Sequence, residues 1–137
     1  MTMTLWKTID WPKLKCRDGS GQNLPHHFER LTAPQAEIRA QARRDLRHFL
    51  CGAADWFSAN APAVTSLVDL AAAPGTPDRG PVLALAVDVM TVGHHWFLAR
   101  GLDLRDARVR SLFAEGTEAR RALEAMEAEV PRLLGFA

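Results

Sequence analysis

The stretch from residue 60 to residue 90, NAPAVTSLVDLAAAPGTPDRGPVLALAVDVM, constrains the fold of this chain more than any other. Two apolar runs, 62–72 and 81–99, flank a short hinge that contains two prolines and two glycines. Neither Pro74 nor Pro77 can continue a helix, because proline lacks the N–H and clashes with the preceding turn. The pattern therefore predicts two helices that a tight turn folds back against each other.

The remaining segments also predict helices. No stretch alternates apolar and polar residues between hairpin signals, which argues against strands and indicates an all-α chain. The segments 10–15 and 24–31 predict short helices, with an exposed loop over 17–23 between them. Asp10 and Asn23 are the expected caps, since their side chains can accept hydrogen bonds from the first free N–H groups.

The clearest amphipathic helix is expected in the segment 32–50, with Thr32 as its cap and Pro34 as its opening residue. Its apolar stripe at helical spacing comprises Ile38, Ala42, Leu46, Phe49 and Leu50. The corresponding face of the segment 62–72 comprises Val64, Leu67, Val68 and Ala71. The run 81–99 is apolar nearly all round, which predicts a position at the centre of the domain.

A short helix, a tight turn and a longer helix occur twice, and the offset from Pro25 to Pro62 suits a two-helix repeat. The segment PQAEIRAQARRDL, with Arg39 at the arginine of the pattern, resembles bacterial HEAT-repeat domain proteins, as does the segment 61–85. The segment TEARRALEAMEAEVPRLL is similar to the approach to a third repeat. The resemblance extends over roughly residues 6–134.

This resemblance implies a short α-solenoid of stacked antiparallel helix pairs that forms one domain over residues 1–137. It implies repeat one at about 24–51, repeat two at about 61–100 and C-terminal capping helices at about 103–136. Each pair is too thin to bury both of its apolar faces, so stacking supplies the core. A non-catalytic module that binds another protein is the implied function, with a bacterial toxin or a second copy as the partner.

Composition restricts the class of partner. The chain has 17 Lys plus Arg and 16 Asp plus Glu, which give a formal net charge of +1. This balance disfavours a general nucleic-acid binder. The first residues do not resemble a signal peptide, and the most apolar window, 81–92, is too short to cross a bilayer. We expect a cytoplasmic protein without a membrane partner, in which Cys16 and Cys51 are reduced thiols rather than one isolated disulfide.

Two aromatic segments are candidates for contact with a partner. ADWFS lies in a connector, and GHHW lies near the end of the last apolar run. Tryptophan and arginine are enriched among the residues that dominate binding energy at interfaces. The alternative is that these rings pack on the edge of the core. The residues expected to contact a partner are Trp56, Phe57, His94, His95, Trp96 and Arg100.

A basic stripe supports an alternative function. Arg39, Arg43 and Arg47 follow one another at i, i+4 and i+8, and Arg44 is adjacent. Such a stripe could follow a nucleic-acid backbone, because each phosphate contact releases counterions. A solvated helix face is the simpler interpretation of the same pattern.

A third alternative is an enzyme or a metal protein that uses the histidine pairs, His26 with His27 and His94 with His95. Adjacent residues point about 100° apart on a helix, so neither pair easily shares one metal ion. No thiol or carboxylate has a matching spacing. The GxSxG, P-loop and HExxH motifs are absent from the sequence. We therefore expect no metal, no cofactor and no catalytic activity.

Overall fold

The computed structural model describes residues 5–51 and 57–99, and side chains of the last helix as far as Val92. The first elements are the 3-10 helices Leu5–Thr8 and Trp11–Lys13, the strands β1 (Lys15–Cys16) and β2 (Gly19–Ser20), and the 3-10 helix Gly21–Asn23. Four α-helices follow: α1 (Leu24–Arg30), α2 (Ala36–Leu50), α3 (Asn60–Ala72) and α4 (Arg79–Ala99). The described part of the chain is therefore mostly helical, as the sequence predicted.

The N-terminal segment differs from the prediction. The expected helix over 10–15 is only a 3-10 turn, because Leu14 adopts an extended backbone with ψ 158° and leads into β1. Asp10 makes no side-chain cap bond. The loop expected over 17–23 contains β2, which pairs antiparallel with β1 through Lys15 with Ser20 and Cys16 with Gly19. Gly19 has φ +119°, which favours glycine, and strands of two residues are too short to show alternation.

The start of α2 was also predicted wrongly. The helix begins at Ala36, after Gln35, rather than at Thr32 and Pro34. The hydroxyl of Thr32 donates to the carbonyl of Glu29 at 3.1 Å, so Thr32 belongs to the end of α1. Asn23 makes no side-chain cap bond to α1 either. The sequence signals therefore indicated the correct start for α1, at Leu24 after Asn23, but placed the start of α2 too early.

The centre of the described core is α3, not α4. Val64, Leu67, Val68 and Ala71 are all buried, which confirms the predicted face of α3. The helix also buries Asn60, Ala63, Ser66 and Leu70, so several of its sides are covered. In α4 the buried side comprises Val82, Leu85, Ala86, Val89 and Met90, whereas Pro81, Ala84 and Val87 are exposed. Over residues 81–92, coverage on several sides, as the sequence predicted, is not observed, because small apolar residues also occupy the exposed side.

The helices pack in two pairs that touch each other. Helix α1 packs against α2, α3 packs against α4, and α2 also contacts α4. Buried Asn60 links the two pairs, since its amide donates to the carbonyl of Leu50 at 2.7 Å and its side-chain oxygen accepts from the N–H of Phe57 at 3.3 Å. The end of α2 is thereby tied to the start of α3.

An aromatic cluster attaches the N-terminal segment to α1. The ring of Phe28 is fully buried and stacks on Trp11 at 5.1 Å and on Trp6 at 6.1 Å between ring centroids. The indole N–H of Trp11 donates to the carbonyl of Trp6 at 2.8 Å, which satisfies its only donor inside the core. The two 3-10 helices thus contribute to the core through their tryptophans.

Candidate functional site

Asp78, in the hinge between α3 and α4, joins that hinge to α2. Its carboxylate oxygen Oδ2 accepts from Nε of Arg39 and from Nη1 of Arg43, both at 2.8 Å. These hydrogen bonds, the one from Arg39 first, lower the pKa of Asp78 below its ordinary value. The φ of Asp78 is +55°, a left-handed conformation that aspartate tolerates better than most residues. The hinge therefore fixes the second helix pair against the first.

The other end of the basic stripe is also bound to α4. Arg47 donates to Oδ2 of Asp88 from Nη2 at 2.8 Å and from Nε at 3.2 Å. Arg44 donates only to the side chain of Gln41, at 2.7 Å, and remains on the exposed side of α2. Of the four arginines named from the sequence, Arg39 and Arg43 thus bind the hinge, Arg47 binds α4, and the side chains of Arg39 and Arg43 are mostly buried. A phosphate would have to displace these carboxylates.

Sequence reasoning missed both carboxylate partners. In the sequence, Asp78 is one polar residue of the hinge, and Asp88 is a single interruption of an apolar run. The separation between Arg39 and Asp78 or between Arg47 and Asp88 is about 40 residues, far beyond the i to i+4 pairs that a sequence exposes. A lone carboxylate inside an apolar helix, as at position 88, was the one signal in the sequence that pointed to such a partner.

The bridges place an exposed surface across the two helices, which we call the α2/α4 face. Val87 is 46% exposed and is the one large apolar side chain that is exposed in the part of the chain with described side chains. Ala84, Val87, Asp88 and Thr91 lie on one side of α4, because they follow at i, i+3, i+4 and i+7. The α2/α4 face comprises Arg44, Arg47, Ala84, Val87, Asp88 and Thr91.

The partner-contact residues predicted from the sequence are only partly visible. Phe57 is half-buried just before α3, where its N–H binds Asn60. His94, His95 and Trp96 lie within α4, but their side chains fall outside the described set. Trp56 and Arg100 lie outside the described residues altogether. Phe57 is thus the one residue of the six whose side chain belongs to the described part of the chain, and the predicted contact site stays a prediction.

A small polar cleft of about 140 Å³ lies beside the β-hairpin. Its walls include Cys16, Asp18, Gln22 and Phe49, and Asp18 faces His48 across 3.0 Å. Within the described residues, no three His, Cys, Asp or Glu side chains are close enough together to hold a metal ion. This cleft therefore offers one carboxylate and neutral polar groups, but no constellation with the ligands for a metal.

Both cysteines are free thiols, as the sequence predicted; Cys16 is buried and Cys51 is partly buried. Burial raises the pKa of Cys16, and burial raises the pKa of Cys51 to about 11. Because the thiolate is the reactive form, we expect slow alkylation of both residues at pH 7.5 in the native state. Mass spectrometry after iodoacetamide treatment should show much faster modification in urea. Fast native modification of either residue would contradict the described burial.

Comparisons of the chain with protein-family models, with curated proteins and with solved structures found no match. Among the described helices, none combines the length and the apolar character that crossing a membrane requires.

Proposed function

We propose that this protein is a non-catalytic binding module for another protein, built from stacked helix pairs of the HEAT type. The contact between α2 and α4 supports the proposal, because these are the second helices of the two pairs. In a stacked-pair array, such helices lie side by side and present side chains at a regular pitch to a partner. The arginine–aspartate bridges from Arg39 and Arg43 to Asp78 and from Arg47 to Asp88 fix that spacing.

The observation that carries the proposal is the composition of the α2/α4 face. On α4, exposed Val87 directly precedes Asp88 of the Arg47–Asp88 bridge. On α2, exposed Arg44 lies one helical turn before Arg47, so the face combines an apolar side chain with charged groups. Protein interfaces combine an apolar centre with a polar rim, and arginine is enriched at them. Position 95 follows Asp88 by two helical turns, which extends the same row toward the GHHW segment. We place the partner-binding surface on this row.

The partner that we propose is a protein, and a toxin that this module inhibits is the first candidate to test. The single-residue variants are Arg44→Glu and Val87→Arg, both on exposed positions of the α2/α4 face. Matched controls are Arg30→Glu on α1 and Ala72→Arg at the end of α3, which are exposed elsewhere. Wild-type and variant proteins are used as baits in lysate of the native host, and the captured proteins are quantified.

We expect that the wild type and both controls capture the same protein, and that the captured amount falls at least about tenfold with each face variant. A tenfold change corresponds to about 1.4 kcal/mol, which is the scale of one interface contact. The purified partner should then show the same change in Kd, and its toxicity in cells should be relieved by co-expression. Equal capture by all five baits would contradict the proposed surface. Salt-sensitive binding of DNA that Arg44→Glu abolishes would instead assign the face to nucleic acid.

A further inference from the structure

His27 lies at the corner between α1 and α2 with its imidazole mostly buried. Its side chain is 12% exposed, and its ring stacks on Phe49 of α2 at 5.5 Å between centroids. The edge of the neighbouring His26 ring lies 5.6 Å away. Nδ1 of His27 is buried and has no hydrogen-bond partner. The site therefore suits a neutral ring that packs on an apolar surface, rather than an imidazolium.

The charged groups around His27 do not compensate a positive charge on its ring. The nearest acceptor is Oδ2 of Asp45 on α2, 3.6 Å from Nδ1 and beyond hydrogen-bond distance. The other oxygen of Asp45 already accepts from the amide of Gln41 at 2.8 Å. On α1 itself, Arg30 and His26 add only positive or titratable neighbours.

On α2, His48 contacts the ring of Phe49 edge-on rather than His27, and it pairs with Asp18 at 3.0 Å. Burial has the largest effect on the pKa of His27 and lowers it. Asp45 has the next largest effect and raises the pKa, whereas His26 and Arg30 lower it further. Since the folded-state value is lowered, stability that is present above the ordinary pKa of histidine is lost as the pH falls below it.

We propose that His27 makes the contact between α1 and α2 sensitive to mild acid, so that protonation drives its ring out from Phe49 and opens this corner of the fold. Helix α1 has only seven residues, so it depends on such packing rather than on its own hydrogen bonds. A groove of about 530 Å³ adjoins the corner and is lined by Arg30, Pro34 and Ile38. The shape of this groove therefore changes when the corner opens. This inference does not rest on the function proposed above.

Hydrogen exchange of the full chain tests the proposal. After correction for the intrinsic pH dependence of exchange, the opening constant of the α1 amides should rise by up to about tenfold between pH 7.5 and pH 5.5. The variant His27→Phe keeps a ring against Phe49 but cannot be protonated, so it should abolish this rise. His26→Gln and His48→Gln are the controls, and both should retain it, since neither removes the buried ring.

A second measurement does not depend on how well the variants fold. In the wild type, the imidazole NMR signals of His27 should titrate with a midpoint below the ordinary value of about 6.5. A midpoint at or above that value overturns the proposal. So does an unchanged opening constant in the wild type, or a rise that persists in His27→Phe.

Discussion

Replacement of Phe28 by alanine is expected to lower the free energy of unfolding by about 3 to 5 kcal/mol. Phe28 is fully buried, and its ring stacks on both Trp6 and Trp11. Removal of the ring deletes both stacking contacts and leaves a cavity between α1 and the N-terminal segment. A single domain is stabilised by only about 5 to 15 kcal/mol in total, so this change removes a large part of the margin. Urea unfolding, monitored by tryptophan fluorescence, measures the loss in the free energy of unfolding.

The matched surface control is Val87→Ala, which truncates an apolar side chain that is 46% exposed. It should change the free energy of unfolding by no more than about 0.5 kcal/mol. A loss below about 1 kcal/mol for Phe28→Ala would contradict a cooperative core that includes the aromatic cluster. It would indicate instead that the segment with Trp6 and Trp11 unfolds separately from the helices.

Replacement of Asp78 by asparagine is expected to destabilise the fold by about 1 to 2 kcal/mol at pH 7. Asparagine has nearly the same shape and tolerates the left-handed backbone, so the change isolates the charge that Arg39 and Arg43 bind. The expected loss is smaller than for a fully buried pair because the side chain of Asp78 is 29% exposed to screening by solvent. Urea unfolding of both proteins gives the difference.

Asp10→Asn is the control for the removal of a carboxylate, since Asp10 pairs with Lys13 at 3.4 Å on an open surface. Its effect should stay within about 0.5 kcal/mol. Because the pKa of Asp78 is lowered by its arginine partners, its contribution is present above the ordinary pKa and disappears as the pH falls through the lowered one. The wild type and Asp78→Asn should therefore converge in stability in strong acid. A constant difference down to pH 2 would refute the ionic origin of the effect.

The helical segments could be predicted because local patterns encode them. The buried face of α3, Val64 with Leu67, Val68 and Ala71, repeats at helical spacing, and Pro74 and Pro77 stop the helix. Starting residues were less certain, as Thr32 shows, because the same hydroxyl can cap a new helix or bind the carbonyl of the preceding one. The hairpin at Gly19 was missed because four strand residues carry no periodicity.

The candidate site depended much more on the tertiary structure. The sequence placed Arg39, Arg43 and Arg47 on one side of a helix, but did not reveal that Asp78 and Asp88 lie opposite them. The sequence also did not show which side of α4 is exposed, since Ala84 and Val87 are as apolar as many buried residues. Spacing along the chain determines which side chains share a helix face. Whether that face meets a core, an opposite charge or solvent depends on the packing of elements that are distant in sequence.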